Sequence, residues 1–78
     1  MKGIYLVFAE WCNTENIWIA SSNDIPGFIA EADSIEALST KLQSLIPELL
    51  LLNKQVTEEQ IIIEIVARKF VKTQSLEK

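Results

Sequence analysis

Few residues of this chain could do covalent chemistry. None of the 78 residues is histidine, which removes the commonest general base and the usual nitrogen ligand of zinc. Cys12 is the single cysteine, so it has no partner for an internal disulfide, and no basic residue lies near it in sequence to activate the thiol. We expect Cys12 to be structural or incidental. An unpaired thiol without a secretory leader predicts a cytoplasmic protein.

The remaining candidates for catalysis are carboxylates. A metal-dependent nuclease needs several carboxylates around a divalent metal ion. The nearest acids are Glu10 on the first predicted strand, Glu36 or Glu48 on the predicted helix, and Glu64 in the middle of the last strand. These scattered acids form no metal motif. We therefore expect no enzyme, no catalytic residue, no metal and no cofactor, and metal-dependent nuclease is the least favoured alternative.

Basic residues form one small cluster late in an acidic chain. The net charge is −4 and the isoelectric point is near 4.6, whereas phosphate-backbone binding needs clustered cations. Arg68, Lys69 and Lys72 are the cluster, which predicts a solvated strand end or, alternatively, a site for an anion. We expect neither direct DNA binding nor membrane association. An acidic surface suits docking onto a basic partner.

The elements that must position these residues follow the order β-β-β-α-β. Apolar, β-branched and aromatic runs bounded by turn signals predict strands over 2–11, 17–20, 28–32 and 61–71, and three-to-four spacing of leucines predicts a helix over 35–52. Three strands in a meander are antiparallel, and a crossover helix makes the fourth parallel to a neighbour, most simply the first. The predicted α+β fold is a four-stranded mixed sheet with one helix on one face, in a single domain over 1–78 with a flexible tail from about residue 73.

Two loops in the meander carry distinctive residues. Trp11 and Trp18 flank the first loop, over 12–16, where they could meet across the strands as packing or anchor a partner. Asp24, Pro26 and Gly27 lie in the second loop, over 21–27. Because proline fixes φ and glycine tolerates positive φ, we interpret this segment as a rigid turn, with a binding loop as the alternative.

The start and the interior of the helix carry further signals. Asp33 or Ser34 can cap its first turn, and Glu36, three residues after Asp33, fits a capping box. Pro47 removes one helical hydrogen bond, so we expect either a kink or a separate final turn there. A polar connection over 53–60 leads to the last strand.

Aliphatic residues are in surplus for so short a chain. Apolar types make up 49% of the residues, and both sides of the first and last strands are apolar although only one face of the sheet has a helix to cover it. The surplus predicts a homodimer or a higher homo-oligomer through the helix-free face or the edge of the last strand. The predicted interface residues are Ile61, Ile62, Ile63, Ile65, Val66, Phe70, Tyr5 and Val7.

The stretch from residue 18 to residue 45 resembles the N-terminal domain of HicB-type antitoxins, and it is closer still to a HicB-like family of stand-alone small domains without an assigned function. The shared pattern is an aromatic second strand, a D-x-P-G turn at 24–27, a D-S helix cap at 33–34 and E-A-L at 36–38. The segment IPELL at 46–50, followed by Asn53, is similar to the stand-alone family in particular.

The resemblance implies a partial ribonuclease H-like fold and a role in protein–protein interaction. HicB proteins bind and inhibit a small basic toxin that cleaves mRNA, and they usually carry a C-terminal DNA-binding module, which we do not expect here. The predicted function is therefore a non-enzymatic, HicB-like interaction domain, antitoxin-like towards a small basic toxin. The alternative is a small ligand-binding or regulatory module that uses the helix-free face of the sheet.

Overall fold

The computed structural model describes residues 3–53 and 60–76, so part of the predicted connection, residues 54–59, lies outside the described residues. The element order β-β-β-α-β is confirmed, as is the four-stranded mixed sheet with one helix. The elements are β1 (Gly3–Cys12), β2 (Ile17–Ser21), β3 (Ile29–Ala32), α1 (Ile35–Leu52) and β4 (Ile61–Arg68).

The longest strand lies inside the sheet. The strand order is β3-β2-β1-β4, with β1 antiparallel to β2 and parallel to β4, as predicted. β2 pairs antiparallel with β3. The two edges of the sheet are therefore β3, of four residues, and β4, of eight.

A row of alanines crosses the sheet, and the helix packs on this row. Ala9 of β1 pairs with Ala20 of β2 and with Ala67 of β4, and Ala20 pairs with Ala30 of β3. Ala9, Ala20 and Ala30 are buried, whereas Ala67 is exposed. Small side chains allow close approach of a packed element. Because three of the four alanines are buried, α1 lies over β1, β2 and β3 rather than over β4.

The helix buries one stripe of side chains against this row. Leu38, Leu42, Ile46 and Leu50 recur every four residues, as an amphipathic helix requires, and all four are buried. They pack with Val7 and the alanines in the core. The buried strand side chains, Val7, Ala9, Ala20 and Ala30, are thus all on one face of the sheet, which we call the helix-covered face.

The helix starts one residue later than a capping box would require. Ser34 is the N-cap, and its hydroxyl accepts a hydrogen bond from the Ala37 amide at 3.0 Å. Glu36 is therefore in the second helical position, and the predicted Asp33–Glu36 box is wrong because that box needs Asp33 at the cap. The helix continues through Pro47 to Leu52, so the predicted alternative of a separate final turn is also wrong.

Two predicted strands are longer than the observed ones. Phe28 precedes β3 and packs in the core, where its amide donates to the carbonyl of Ile25 at 3.3 Å in a turn. β4 ends at Arg68 and not at Val71. The apolar pattern predicted pairing to residue 71, but a strand also needs a partner, and the ladder with β1 stops where Glu10 faces Arg68.

Within the described residues, no helix combines the length and the apolar character that crossing a membrane requires.

Candidate functional site

The second face of the sheet has no helix over it within the described residues, and we call it the open face. Alternation along the strands assigns its residues, because buried Val7 and Ala9 point towards α1 and their neighbours point away. The pairing registers carry this assignment across the sheet. The open face comprises Ile4, Leu6, Phe8, Glu10, Cys12, Ile17, Ile19, Ser21, Ile29, Glu31, Ile62, Glu64, Val66 and Arg68.

The open face is mainly apolar and exposed. Ile4 and Ile29 are 62% and 67% exposed, and Phe8 and Val66 are 41% and 43% exposed. A folded monomer rarely leaves a contiguous apolar patch of this kind in water, and larger patches mark binding surfaces. Phe8 and Val66 are also direct partners in the parallel ladder, so they form one continuous patch.

Charged side chains lie among the apolar ones on the open face. The Arg68 guanidinium forms a salt bridge with the Glu10 carboxylate, its partner across the ladder, and both side chains are largely exposed. Glu31 and Glu64 are the other two acids of the open face. Three acids and one base make the face net negative, and Arg68 is already paired.

A shallow hollow lies at the carboxyl end of β1 and its edge neighbour β4. Its volume is about 340 Å³, and it is lined by Phe8, Ala9, Glu10, Val66 and Arg68. Both the exposed Phe8–Val66 pair and the Glu10–Arg68 salt bridge line the hollow. This combination can bind an apolar side chain beside a charged or polar one.

The structure divides the predicted interface residues between the two faces. Ile62 and Val66 lie on the open face, and Phe70 follows β4 and is exposed. Five others lie on the helix-covered face: Tyr5, Val7, Ile61, Ile63 and Ile65. This corrects the assignment of Tyr5 and Val7 to a helix-free surface, whereas the three isoleucines belong to the edge strand β4. Val7 is fully buried. The apolar composition of both sides hid which side the helix covers, and Ile4, Leu6 and Phe8 take the place of Tyr5 and Val7 on the open face.

The helix leaves β4 incompletely covered even on its own side. Ile61, Ile63 and Ile65 are half-buried and line a groove of about 240 Å³ with residues of α1. The backbone of α1 approaches β3 more closely than the other strands. β4 is therefore an edge strand with apolar side chains accessible on both faces.

The loop between β2 and β3 bonds a part of β1 that pairs with β4 but extends beyond the ladder with β2. The Asp24 carboxylate accepts from the Leu6 amide at 2.8 Å, and the Ser22 hydroxyl donates to the Leu6 carbonyl at 2.6 Å. Ile25 is fully buried, and Gly27 has a φ of +75°, the positive value that the third position of a type II turn requires. These contacts give Asp24, Pro26 and Gly27 a structural role.

The two tryptophans meet at the end of the β1–β2 hairpin. Trp11 pairs with Trp18 in the ladder, and the rings pack edge to face with 5.4 Å between their centroids. The Lys69 ammonium lies 4.5 Å from the centre of the Trp11 ring. Both rings are half-buried, so they pack within the chain, and their role as partner anchors stays a prediction.

The candidate carboxylates do not converge. Glu10 and Glu64 lie on the open face, whereas Glu36 and Glu48 are exposed on α1, on the other side of the sheet. Within residues 3–53 and 60–76, no three histidine, cysteine, aspartate or glutamate side chains come close enough to hold a metal ion. Cys12 is a half-buried free thiol at the end of β1.

Three comparisons relate the chain to known proteins. Residues 4–75 match a family model described as a domain of unknown function, DUF1902. A crystal structure of a hypothetical protein from the extremely thermophilic bacterium Thermus thermophilus is similar, with 31% identity and a TM-score of 0.78 over 90% of this chain and 99% of that one. A search of curated proteins finds no match. The predicted similarity to a small-domain family without an assigned function is confirmed in this coarser form, and the link to HicB-type antitoxins stays a prediction.

Proposed function

Because the chain belongs to the DUF1902 family, a domain of unknown function, we propose its function from its surface: it is a non-enzymatic protein–protein interaction domain that binds through the open face. The observation that carries this proposal is the apolar patch around Phe8 and Val66, together with exposed Ile4 and Ile29. Burial of one such side chain contributes about 1.5–3 kcal/mol. Burial of these four side chains is the main favourable contribution to a complex, and it must exceed the entropic cost of association.

The charge of the protein indicates the chemistry of the partner. Glu10, Glu31 and Glu64 place negative charge within the open face, and the net charge of the chain is −4. Complementary charge speeds association and excludes partners of the same sign. An apolar surface with basic residues at its border is the complementary partner.

The resemblance to HicB-type antitoxins suggests a specific partner of this chemistry. A small basic protein that cleaves mRNA would present the positive charge that the open face lacks. We propose the antitoxin-like role as the finer form of the interaction function, with the cytoplasm as its site.

Co-expression with a small basic protein encoded beside this gene tests the proposal. We expect the wild-type chain to co-purify with that protein and to relieve growth arrest if the protein is a toxin. Phe8→Ser, which removes the centre of the open face, should abolish both effects. Leu52→Ser is the matched control, since Leu52 is 77% exposed at the end of α1, away from the open face.

Different outcomes would contradict binding through the open face and the antitoxin-like role. Co-purification that Phe8→Ser leaves unchanged would contradict binding through the open face. Co-purification without relief of growth arrest would contradict the antitoxin-like role alone. In both cases, the folding of Phe8→Ser is checked by circular dichroism.

A small-ligand function is the second candidate, favoured by the hollow beside Phe8 and Val66. The charged group that would bind an anion there is Arg68, which is already paired with Glu10. A ligand must therefore compete with an existing salt bridge, whereas a protein partner can cover the whole apolar surface. For this reason we favour the protein partner.

A further inference from the structure

The chain continues beyond β4 as an exposed extension, residues 69–76, which we call the arm. Its apolar side chains are left in water: Phe70 and Val71 are each 76% exposed, and Leu76 is fully exposed. The molecule measures 58 Å along its longest axis against 23 and 20 Å across it. Its radius of gyration is 15.5 Å, whereas a compact chain of this length has about 11.5 Å.

The root of the arm is held by contacts with the sheet. Lys69 lies over the Trp11 ring, and the Arg68 guanidinium contacts both the Glu10 carboxylate and the Phe70 ring, 5.3 Å from its centre. These contacts fix where the extension leaves the sheet, at the carboxyl end of β1 and β4. The arm is thereby presented away from the core.

Charge separates the arm from the rest of the protein. The arm contains Lys69 and Lys72 and no acidic residue, and Arg68 directly precedes it. Residues 3–53 and 60–67 contain eight acidic residues and a single basic one, Lys41. An apolar and basic segment and an apolar and acidic surface therefore exist in the same chain.

We infer that the arm of one copy binds the open face of a second copy, in a reciprocal dimer. This inference rests on the proposed function of the open face and names its partner in the isolated protein. Phe70 and Val71 supply the apolar contacts, and Lys72, beyond the root that Lys69 holds on Trp11, lies near the acidic residues Glu31 and Glu64 of the partner's open face. A basic protein partner must then displace the arm.

The dimensions of the arm fit this site. Eight extended residues span about 26–29 Å, whereas four strands at their usual spacing are about 14 Å wide between the outer axes. The arm can therefore cross the whole open face. Each copy offers one arm and one open face, so a two-fold exchange satisfies both copies and closes the assembly.

Intermolecular paramagnetic relaxation tests the inference on the full chain. One sample carries a nitroxide at residue 73, introduced by Thr73→Cys in a Cys12→Ser background. It is mixed with a chain that is labelled with nitrogen-15 and carries no nitroxide. We expect broadening of the open-face amides of Leu6, Phe8 and Val66. Amides along α1 should stay sharp. A nitroxide at residue 48, introduced by Glu48→Cys, is the control on the opposite face.

Substitutions in the arm provide the second measurement. Phe70→Ser with Val71→Ser should weaken dimerisation by at least roughly 100-fold, because a reciprocal dimer loses the burial of two apolar side chains from each of its two arms. The exposed control Leu52→Ser should leave the dissociation constant unchanged. Because Phe70 and Val71 lie outside the core, circular dichroism and the unfolding midpoint of the monomer should also be unchanged.

Each alternative result identifies a different failure. Broadening along the groove beside Ile61 and Ile63, or no intermolecular broadening, would overturn the placement of the arm. The arm variant keeps the open face intact, so it should still bind a basic partner if the proposed function holds. Loss of partner binding in Phe8→Ser alone, with no effect of the arm on dimerisation, would support the proposed function and overturn this inference.

Discussion

Ser22 and Asp24 bond β1 where β2 no longer runs beside it. The β1–β2 ladder begins at Phe8, paired with Ser21, so the Leu6 backbone lies beyond it. The Asp24 carboxylate accepts from the Leu6 amide, and the Ser22 hydroxyl both donates to the Leu6 carbonyl and accepts from the Asp24 amide at 3.0 Å. Two side chains thus satisfy a backbone segment that carries part of the open face.

Asp24→Ala should lower the free energy of unfolding by about 1 kcal/mol, because the Leu6 amide loses its acceptor and only water replaces it. Urea unfolding followed by tryptophan fluorescence measures the change. Asn23→Ala, at the exposed neighbouring position, is the matched control and should be nearly neutral. Equal unfolding free energies for the two variants would contradict the structural role of Asp24.

The packing of α1 on the sheet decides which strands are covered. The alanine row allows the helix to lie close to β1, β2 and β3, where Ala9, Ala20 and Ala30 are buried. The same row continues to Ala67 on β4, which is exposed. The position of the helix therefore leaves β4 accessible on both faces.

Leucine should destabilise the fold at one position of this row and be nearly neutral at another. Ala20→Leu places extra volume under α1 and should cost about 1–3 kcal/mol of unfolding free energy. Ala67→Leu enlarges the same row where no helix covers it, and it should change stability by less than about 0.5 kcal/mol. Denaturant unfolding of both variants measures the difference, and a similar loss in both would show that α1 also packs over β4.

The sequence predicts the helix and the strands better than it predicts which face of each strand is covered. The leucine spacing predicted α1, and the dense turn between residues 21 and 27 separated β2 from β3. The faces could not be assigned, because β1 and β4 are apolar on both sides and alternation carries no information there. Assignment of Val7 to an interface failed for this reason. The end of β4 depends on the ladder with β1, a long-range contact that local pattern does not contain.

At the scale of the whole molecule, apolar surface and charge are unevenly distributed. One helix covers one face of three strands, and the aliphatic surplus that remains lies on the open face, on β4 and on the arm. Negative charge lies on the body of the protein, whereas the arm is basic. A protein organised in this way lowers its free energy by associating, and its own arm supplies a complementary surface.

Sedimentation equilibrium of the wild-type chain and of Phe8→Ser tests the central claim, association through the open face, most directly. We predict a wild-type mass near twice the 8.8 kDa of one chain at high micromolar concentration, and a mass near that of one chain for Phe8→Ser. A wild-type mass near 8.8 kDa, or a dimer that Phe8→Ser leaves intact, would contradict self-association through the open face.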